Sequence, residues 1–275
     1  MGRKKAAKGK SNSVPSAAAW PVCDQSAARE AFELWRLGFT HLVPALVAAY
    51  LGSAAAVALL LHGGGRPAAW GGALLLWLAG SGVGQTWGAA FVLLTRAGVK
   101  ADGAAVWRVV KRGAARLAAN GLLRAVMVYA PLAVVVAMAV VAYRGQPPRP
   151  NPIPILTVVV GAMTVNIGIL TCLLPCAVLA EPGGGPLAAL TAARDRGFLV
   201  WGGLLGWGAL LLAIIVVSSL MPYQNRFYPV ANHLVGSYLW LVQAVFYVRA
   251  RRREQPDWTP SDLRRALGEE ADLGR

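Results

Sequence analysis

The sequence is poor in charge, and acidic residues are its scarcest charged class. Only 14% of the 275 residues are charged, and all 12 Asp and Glu residues lie outside the long apolar stretches. A soluble globular domain with 56% hydrophobic residues would leave much apolar surface in contact with water. We therefore expect a protein that places this apolar surface in a lipid bilayer.

The residue clusters of catalytic, metal and cofactor sites are also missing. Of the three cysteines, Cys172 and Cys176 share a helix face, but no histidine or acid cluster accompanies them, which favours a packing role. His62 and His233 are predicted on a side of the membrane that has no acid, so a catalytic triad is not expected. The sequence predicts no catalytic residue, metal or cofactor.

What the sequence does contain is six long apolar stretches. A helix needs about 20 residues to cross a hydrocarbon layer of roughly 30 Å, and each stretch is near or above that length. The stretches are Leu37–Leu61, Ala69–Thr95, Leu122–Tyr143, Ile153–Ala180, Phe198–Met221 and Ala231–Val248. This pattern predicts an all-α, polytopic bundle of six transmembrane helices.

The basic residues are distributed unevenly around these stretches. All but four of the 27 Lys and Arg residues fall in segments that six spans place on the same side of the membrane. Arg124 is counted on that side, in the connection between the second and third spans. The positive-inside rule then puts both termini in the cytoplasm of a multi-pass inner-membrane protein. The net charge of +15 is assigned to anionic lipids rather than nucleic acid, whose recognition motifs are absent.

The chain is divided into three parts. Residues 1–25 are a disordered basic arm, residues 26–248 the transmembrane domain, and residues 249–275 a cytoplasmic basic tail. Short amphipathic helices are predicted on the inner leaflet at residues 26–36, 105–118 and 187–196. In the second of these, the residues expected to contact lipid headgroups are Arg108, Lys111, Arg112 and Arg116.

Polar side chains within the spans are few. Gln85 and Asn166 lie near the middle of the second and fourth stretches, where they are expected to hydrogen-bond to other helices or to each other. A substrate route is the alternative role for both amides. No charged residue is predicted at a span centre, which disfavours ion or proton pumping.

Two further features predict packing. Gly80, Gly84 and Gly88 form a stripe that lets helices approach closely, within the chain or at the seam of a homo-oligomer. At the inner end of the fourth stretch, Glu181 is expected to pair with Arg194 or Arg196 and so hold the last inner loop.

One region of the sequence resembles a known family. The run Leu173–Glu181, the glycine turn after it, and Arg194–Phe198 resemble the bacterial six-span proteins grouped with the membrane domain of glycerophosphoryl diester phosphodiesterases. The ending Phe246–Glu254 is similar to the last helix of these proteins. Thr191 and Asp195 depart from the family pattern, which more often has a serine before the basic residues. The similarity covers about residues 26–254 and implies a six-span fold. It implies no enzymatic activity, because no soluble phosphodiesterase domain accompanies it.

The sequence thus predicts a non-enzymatic membrane protein with a structural or accessory role. Its expected partners are anionic lipids and a protein partner or a second copy of the chain. The alternative is a transporter or carrier of a small uncharged or lipid-like substrate, with Gln85 and Asn166 lining the route.

Overall fold

The computed structural model describes residues 26–63, 66–142, 163, 166–206, 209 and 228–269, and this part of the chain is all-helical. The disordered arm predicted at residues 1–25 lies outside the described residues. The principal helices are α1 (Ala27–His62), α2 (Pro67–Arg96), α3 (Gly103–Ala142), α4 (Leu174–Ala180), α5 (Pro186–Leu199), α6 (Tyr228–Glu254) and α7 (Pro260–Leu267). Residues 166–171 and 201–206 are also helical.

Two of the predicted surface helices are the first turns of longer helices. α1 begins where Ser26 accepts a hydrogen bond from the backbone N–H of Arg29, and it continues through the first apolar stretch. α3 begins where Asp102 accepts one from Ala105, and it continues into the third. Side-chain caps mark both starts, but no turn separates the amphipathic part from the apolar part.

The end of α2 is fixed by a glycine. Gly98 has a positive φ of 71°, which an L side chain rarely adopts. Its N–H donates to the carbonyl of Thr95, and that of Val99 donates to Leu94, which is the Schellman pattern of a helix end. The chain then turns back through Asp102 into α3.

The described helices share one hydrophobic core. α2 is central, because it contacts α1, α3, α4, α6 and α7. The largest side chains with almost no exposure include Leu42 of α1, Leu93 and Leu94 of α2, and Leu241 and Tyr247 of α6. α1 and α2 make the most extensive helix pair of the bundle.

The structure confirms the all-helical fold, but it does not confirm six transmembrane helices. Among the described residues, only α1 is long and apolar enough to cross a membrane, with a mean hydropathy of 2.0 over its most apolar window. A core helix or a signal sequence can pass the same test. α2 falls short because glycines, tryptophans and Gln85 dilute its apolar residues. Parts of the third to fifth predicted stretches lie outside the described residues.

The segment predicted as a basic tail contains ordered helix. α6 continues to Glu254, and α7 begins with a capping box in which Thr259 and Asp262 bond each other's backbone N–H groups. Leu263 and Leu267 of α7 are buried in the core. Arg264 donates to the carbonyl of Ala97 at 2.8 Å, so the segment packs against the α2–α3 turn.

The glycine stripe of α2 packs within the chain. A β-carbon on Gly80 would lie 3.2 Å from the Cα of Gly52 in α1, and one on Gly88 would lie 2.9 Å from the Cβ of Trp240 in α6. A β-carbon on Gly84 would overlap the Trp240 ring. Because α1 and α6 occupy this face, the stripe does not provide the open seam that a second copy would need.

Gly84→Ala is therefore expected to destabilise the protein by about 1–3 kcal/mol, because the added methyl group must displace the buried Trp240 ring. Thermal unfolding in detergent, followed by tryptophan fluorescence, measures the effect. Gly82→Ala on the same helix is the matched control, since its β-carbon meets no atom within 4 Å. It should be neutral or stabilise by up to about 1 kcal/mol. Equal effects of the two substitutions would contradict the packing described here.

Candidate functional site

Ion pairs that join different helices of the described residues gather at one end of the bundle. Glu30 lies near the start of α1, Glu181 follows α4, and Glu254 ends α6. Each carboxylate pairs with arginine side chains from another helix. We call this region the ion-paired end.

The most buried of these groups is Arg196 of α5, which is 2% exposed. Its guanidinium donates to the carboxylate of Glu181, to that of Glu254 at 2.9 Å and to the Tyr247 hydroxyl oxygen at 3.1 Å. The Tyr247 hydroxyl in turn donates to Glu181 at 2.8 Å. Arg251 also donates to Glu254, at 3.1 Å. This Arg196 cluster joins the turn after α4 to α5 and α6.

The cluster favours the ionised forms of Arg196 and Glu254. Burial opposes the charge of Arg196, but Tyr247 and Glu181 outweigh it and raise the pKa of the guanidinium above its usual value. Burial also opposes ionisation of Glu254, yet its hydrogen bonds and its attraction to Arg196 and Arg251 lower the pKa of this carboxyl. The group is therefore a set of ion pairs that holds its charges and is suited to tying helices together.

A second cluster centres on Glu30, which is 7% exposed. Its carboxylate pairs with Arg96 at the end of α2 and with Arg249 of α6, whose Nη2 lies 2.7 Å from Oε2. This Glu30 cluster joins α1, α2 and α6. The chain therefore brings the start of α1 and the ends of α2 and α6 to the same end of the bundle.

Three of the four predicted headgroup residues contact protein. Arg112 donates to the carbonyl of Leu267, and Arg116 donates to that of Pro182 at 2.7 Å. Arg108 is about half exposed, with its Nη2 3.7 Å from a carboxylate oxygen of Glu269. The side chain of Lys111 is exposed. Arg112 and Arg116 thus hold the C-terminal segment and the α4–α5 turn.

The loop-anchoring residues take different roles. Glu181 pairs with Arg196, whereas Arg194 pairs with Asp195 at 2.8 Å, and both members of that second pair are more than half exposed. Of the two arginines, Arg196 is thus the one that anchors Glu181, because α5 turns Arg196 toward the core and Arg194 toward the surface.

The two intramembrane amides also differ. Gln85 accepts a hydrogen bond of 2.8 Å from Arg124 of α3. Asn166 is exposed at the start of the helical residues 166–171. Arg124 was expected among the cytoplasmic loop residues, but it lies within α3, eight residues beyond Arg116 (124 − 116). The Arg124 side chain thus reaches Gln85, which the sequence places near the middle of the second apolar stretch, whereas the inference that no charged residue lies at a span centre stays a prediction.

Sequence reasoning missed the Glu30 cluster and the part played by Tyr247 and Glu254. These partners are far apart in the sequence, as in the 219 positions between Glu30 and Arg249. One signal was present. Glu30 has the helical spacing of Ala27 and Leu34, both of which are buried, so it lies on the apolar face of its segment.

Within the described residues, no group of three or more histidine, cysteine or acidic side chains could hold a metal ion. Cys172 and Cys176 are buried free thiols there.

No protein-family model, curated protein or solved structure matches the chain. The resemblance to the membrane domain of glycerophosphoryl diester phosphodiesterases therefore stays a prediction.

Proposed function

We propose that this chain is a multi-pass protein of the cytoplasmic membrane, with six transmembrane helices and both termini in the cytoplasm. The observation that carries the proposal is the apolar surface that the helices leave open. In α1, Val43, Val47 and Leu51 follow one another at four-residue spacing and are 41%, 50% and 59% exposed. Leu61 and Trp70, near the α1–α2 connection, are 77% and 61% exposed. A contiguous apolar surface of this kind suits contact with lipid.

The ion-paired end supports the orientation of the proposal. Six alternating spans put the start of α1 and the ends of α2, α4 and α6 on one side of the membrane. The Glu30 and Arg196 clusters consist of residues at or near these helix ends. That side also carries most of the basic residues of the sequence, which is the cytoplasmic signature.

Alkaline carbonate extraction of membranes tests insertion. We expect the protein to stay in the membrane pellet, and its release into the supernatant would contradict the proposal.

Within the membrane, we propose a structural or accessory role without catalysis. Support comes from the use of the charges, because the ion pairs of the Arg196 and Glu30 clusters join different helices into a fixed assembly. A rigid set of ion pairs suits a protein that presents a surface, whereas a carrier needs an element that moves.

The alternative is a carrier of a lipid-like substrate, which the contact of Arg124 with Gln85 inside the apolar zone favours. Proteoliposomes with a fluorescent phosphatidylglycerol in both leaflets separate the two roles. If the role is structural or accessory, externally added dithionite should quench only the fluorescence of the lipid in the outer leaflet. Quenching of the inner leaflet as well, at a rate above that of protein-free vesicles, would favour the carrier.

A further inference from the structure

Polar residues continue along one face of α3 into the apolar zone. Arg116, Asn120 and Arg124 follow one another at four-residue spacing, which places them in a row along the helix. The row ends at Gln85 of α2, which accepts a hydrogen bond from Arg124. We call these four residues the polar track.

The depth of the track follows from helix geometry. Arg116 bonds the carbonyl of Pro182 at the ion-paired end, and Arg124 lies eight residues farther along α3, which is about 12 Å at 1.5 Å per residue. Gln85 lies eleven residues before Arg96 on α2, or about 16 Å from the same end. Both estimates approach half of a hydrocarbon layer of roughly 30 Å. The Arg124 guanidinium, which bonds Gln85, thus lies well below the headgroup level of the proposed membrane.

The middle of the track contains an acceptor without a donor. Asn120 is 2% exposed, and its side-chain N–H donates to the carbonyl of Arg116 at 2.9 Å. No donor among the described residues reaches its Oδ1, which is buried. A buried amide oxygen without a hydrogen bond costs about 1–3 kcal/mol, so turning the Asn120 side chain to meet a donor from outside the chain would relieve that cost.

From this row we propose that the polar track binds the headgroup of an anionic lipid below the membrane surface. The guanidinium of Arg124 attracts a phosphate, and Asn120 Oδ1 accepts from a headgroup hydroxyl. The lipid class that offers both groups is an acidic phospholipid with a free hydroxyl, such as phosphatidylglycerol. A free phosphate ion shares the anionic chemistry but carries no acyl chains to place in the apolar zone. This inference rests on the proposed membrane insertion.

The test titrates delipidated protein in detergent with short-chain phosphatidylglycerol, phosphatidic acid or phosphatidylcholine, and native mass spectrometry counts the bound lipid. We expect wild type to bind phosphatidylglycerol, and Arg124→Gln to bind it about tenfold more weakly, as loss of a charged hydrogen bond predicts. Asn120→Leu should weaken the binding of phosphatidylglycerol but not that of phosphatidic acid, which lacks the glycerol hydroxyl of the headgroup. Arg194→Gln, which removes an exposed arginine of α5 outside the polar track, is the control.

Unchanged affinity of Arg124→Gln would overturn the site, as would an equal loss of affinity in Arg194→Gln. Competition by inorganic phosphate would overturn the assignment to lipid in favour of a soluble anion. If Arg124→Gln does not fold, the selectivity of Asn120→Leu decides the question. Carbonate extraction of the wild-type protein distinguishes the two levels of failure. Release from the membrane would contradict the proposed function. Firm insertion together with unaltered lipid binding by the variants would contradict only the lipid site at the polar track.

Discussion

Arg196→Met is expected to lower the free energy of unfolding by about 3–5 kcal/mol, because the change leaves the Glu181 carboxylate without its buried partner. Methionine keeps an unbranched side chain at the position, so the main loss is charge and hydrogen bonding. Glu254 and the Tyr247 hydroxyl lose a donor at the same time. Denaturant or thermal unfolding of the detergent-purified protein measures the effect.

Arg194→Met is the matched control, two residues away on the same helix. Its ion pair with Asp195 is more than half exposed on both sides, and exposed pairs contribute about 0–1 kcal/mol. A double variant, Arg196→Met with Glu181→Leu, should be destabilised by less than the sum of its two single changes, because it removes the Glu181 carboxylate that Arg196→Met alone leaves without its arginine. Similar destabilisation by Arg196→Met and Arg194→Met would contradict the cluster.

Glu30→Gln is expected to have a comparable effect, about 3–5 kcal/mol, because Arg96 and Arg249 both lose their shared buried carboxylate. Glutamine keeps the size of the side chain and one acceptor oxygen, so steric effects are small. The helices joined by Glu30 should also separate more readily at this end. Unfolding measurements together with proteolysis at the start of α1 report the two consequences.

Glu33→Gln provides the comparison for Glu30, one turn farther along α1. Glu33 is paired with Arg29 at 3.6 Å, and its side chain is 44% exposed. Substitution there should change stability by no more than about 0.5 kcal/mol. If Glu30→Gln and Glu33→Gln changed the stability by equal amounts, whether large or small, the Glu30 cluster would not join the three helices.

Helix content could be predicted from the sequence, but helix length could not. The first apolar stretch and the amphipathic segment before it each had the correct periodicity, yet the structure joins them in one helix of 36 residues. The reason is local. A change of polarity from one helical turn to the next does not break a helix, whereas a cap or a left-handed residue does, as at Ser26 and Gly98.

Charge partners could be predicted only where they lie close in the sequence. Glu181 and Arg196 are 15 residues apart, and a turn between them limits the choice of partner to two arginines. Glu30 and Arg249 depend on the packing of α1 against α6, which the sequence alone does not give. Arg124 was assigned to a loop because it lies near the start of an apolar stretch, but the unbroken α3 includes it, and its side chain reaches Gln85 of α2.

Cysteine accessibility in intact cells tests the central claim, a multi-pass membrane protein with the ion-paired end in the cytoplasm, most directly. Single cysteines would replace Arg66, Gly184 and Ser261 in a chain without its three native cysteines. A membrane-impermeant maleimide should label the Arg66→Cys variant in intact cells. It should label the other two only after permeabilisation, because Gly184 lies beside the Arg196 cluster and Ser261 lies in α7. Labelling of Gly184→Cys or Ser261→Cys in intact cells would contradict the claim.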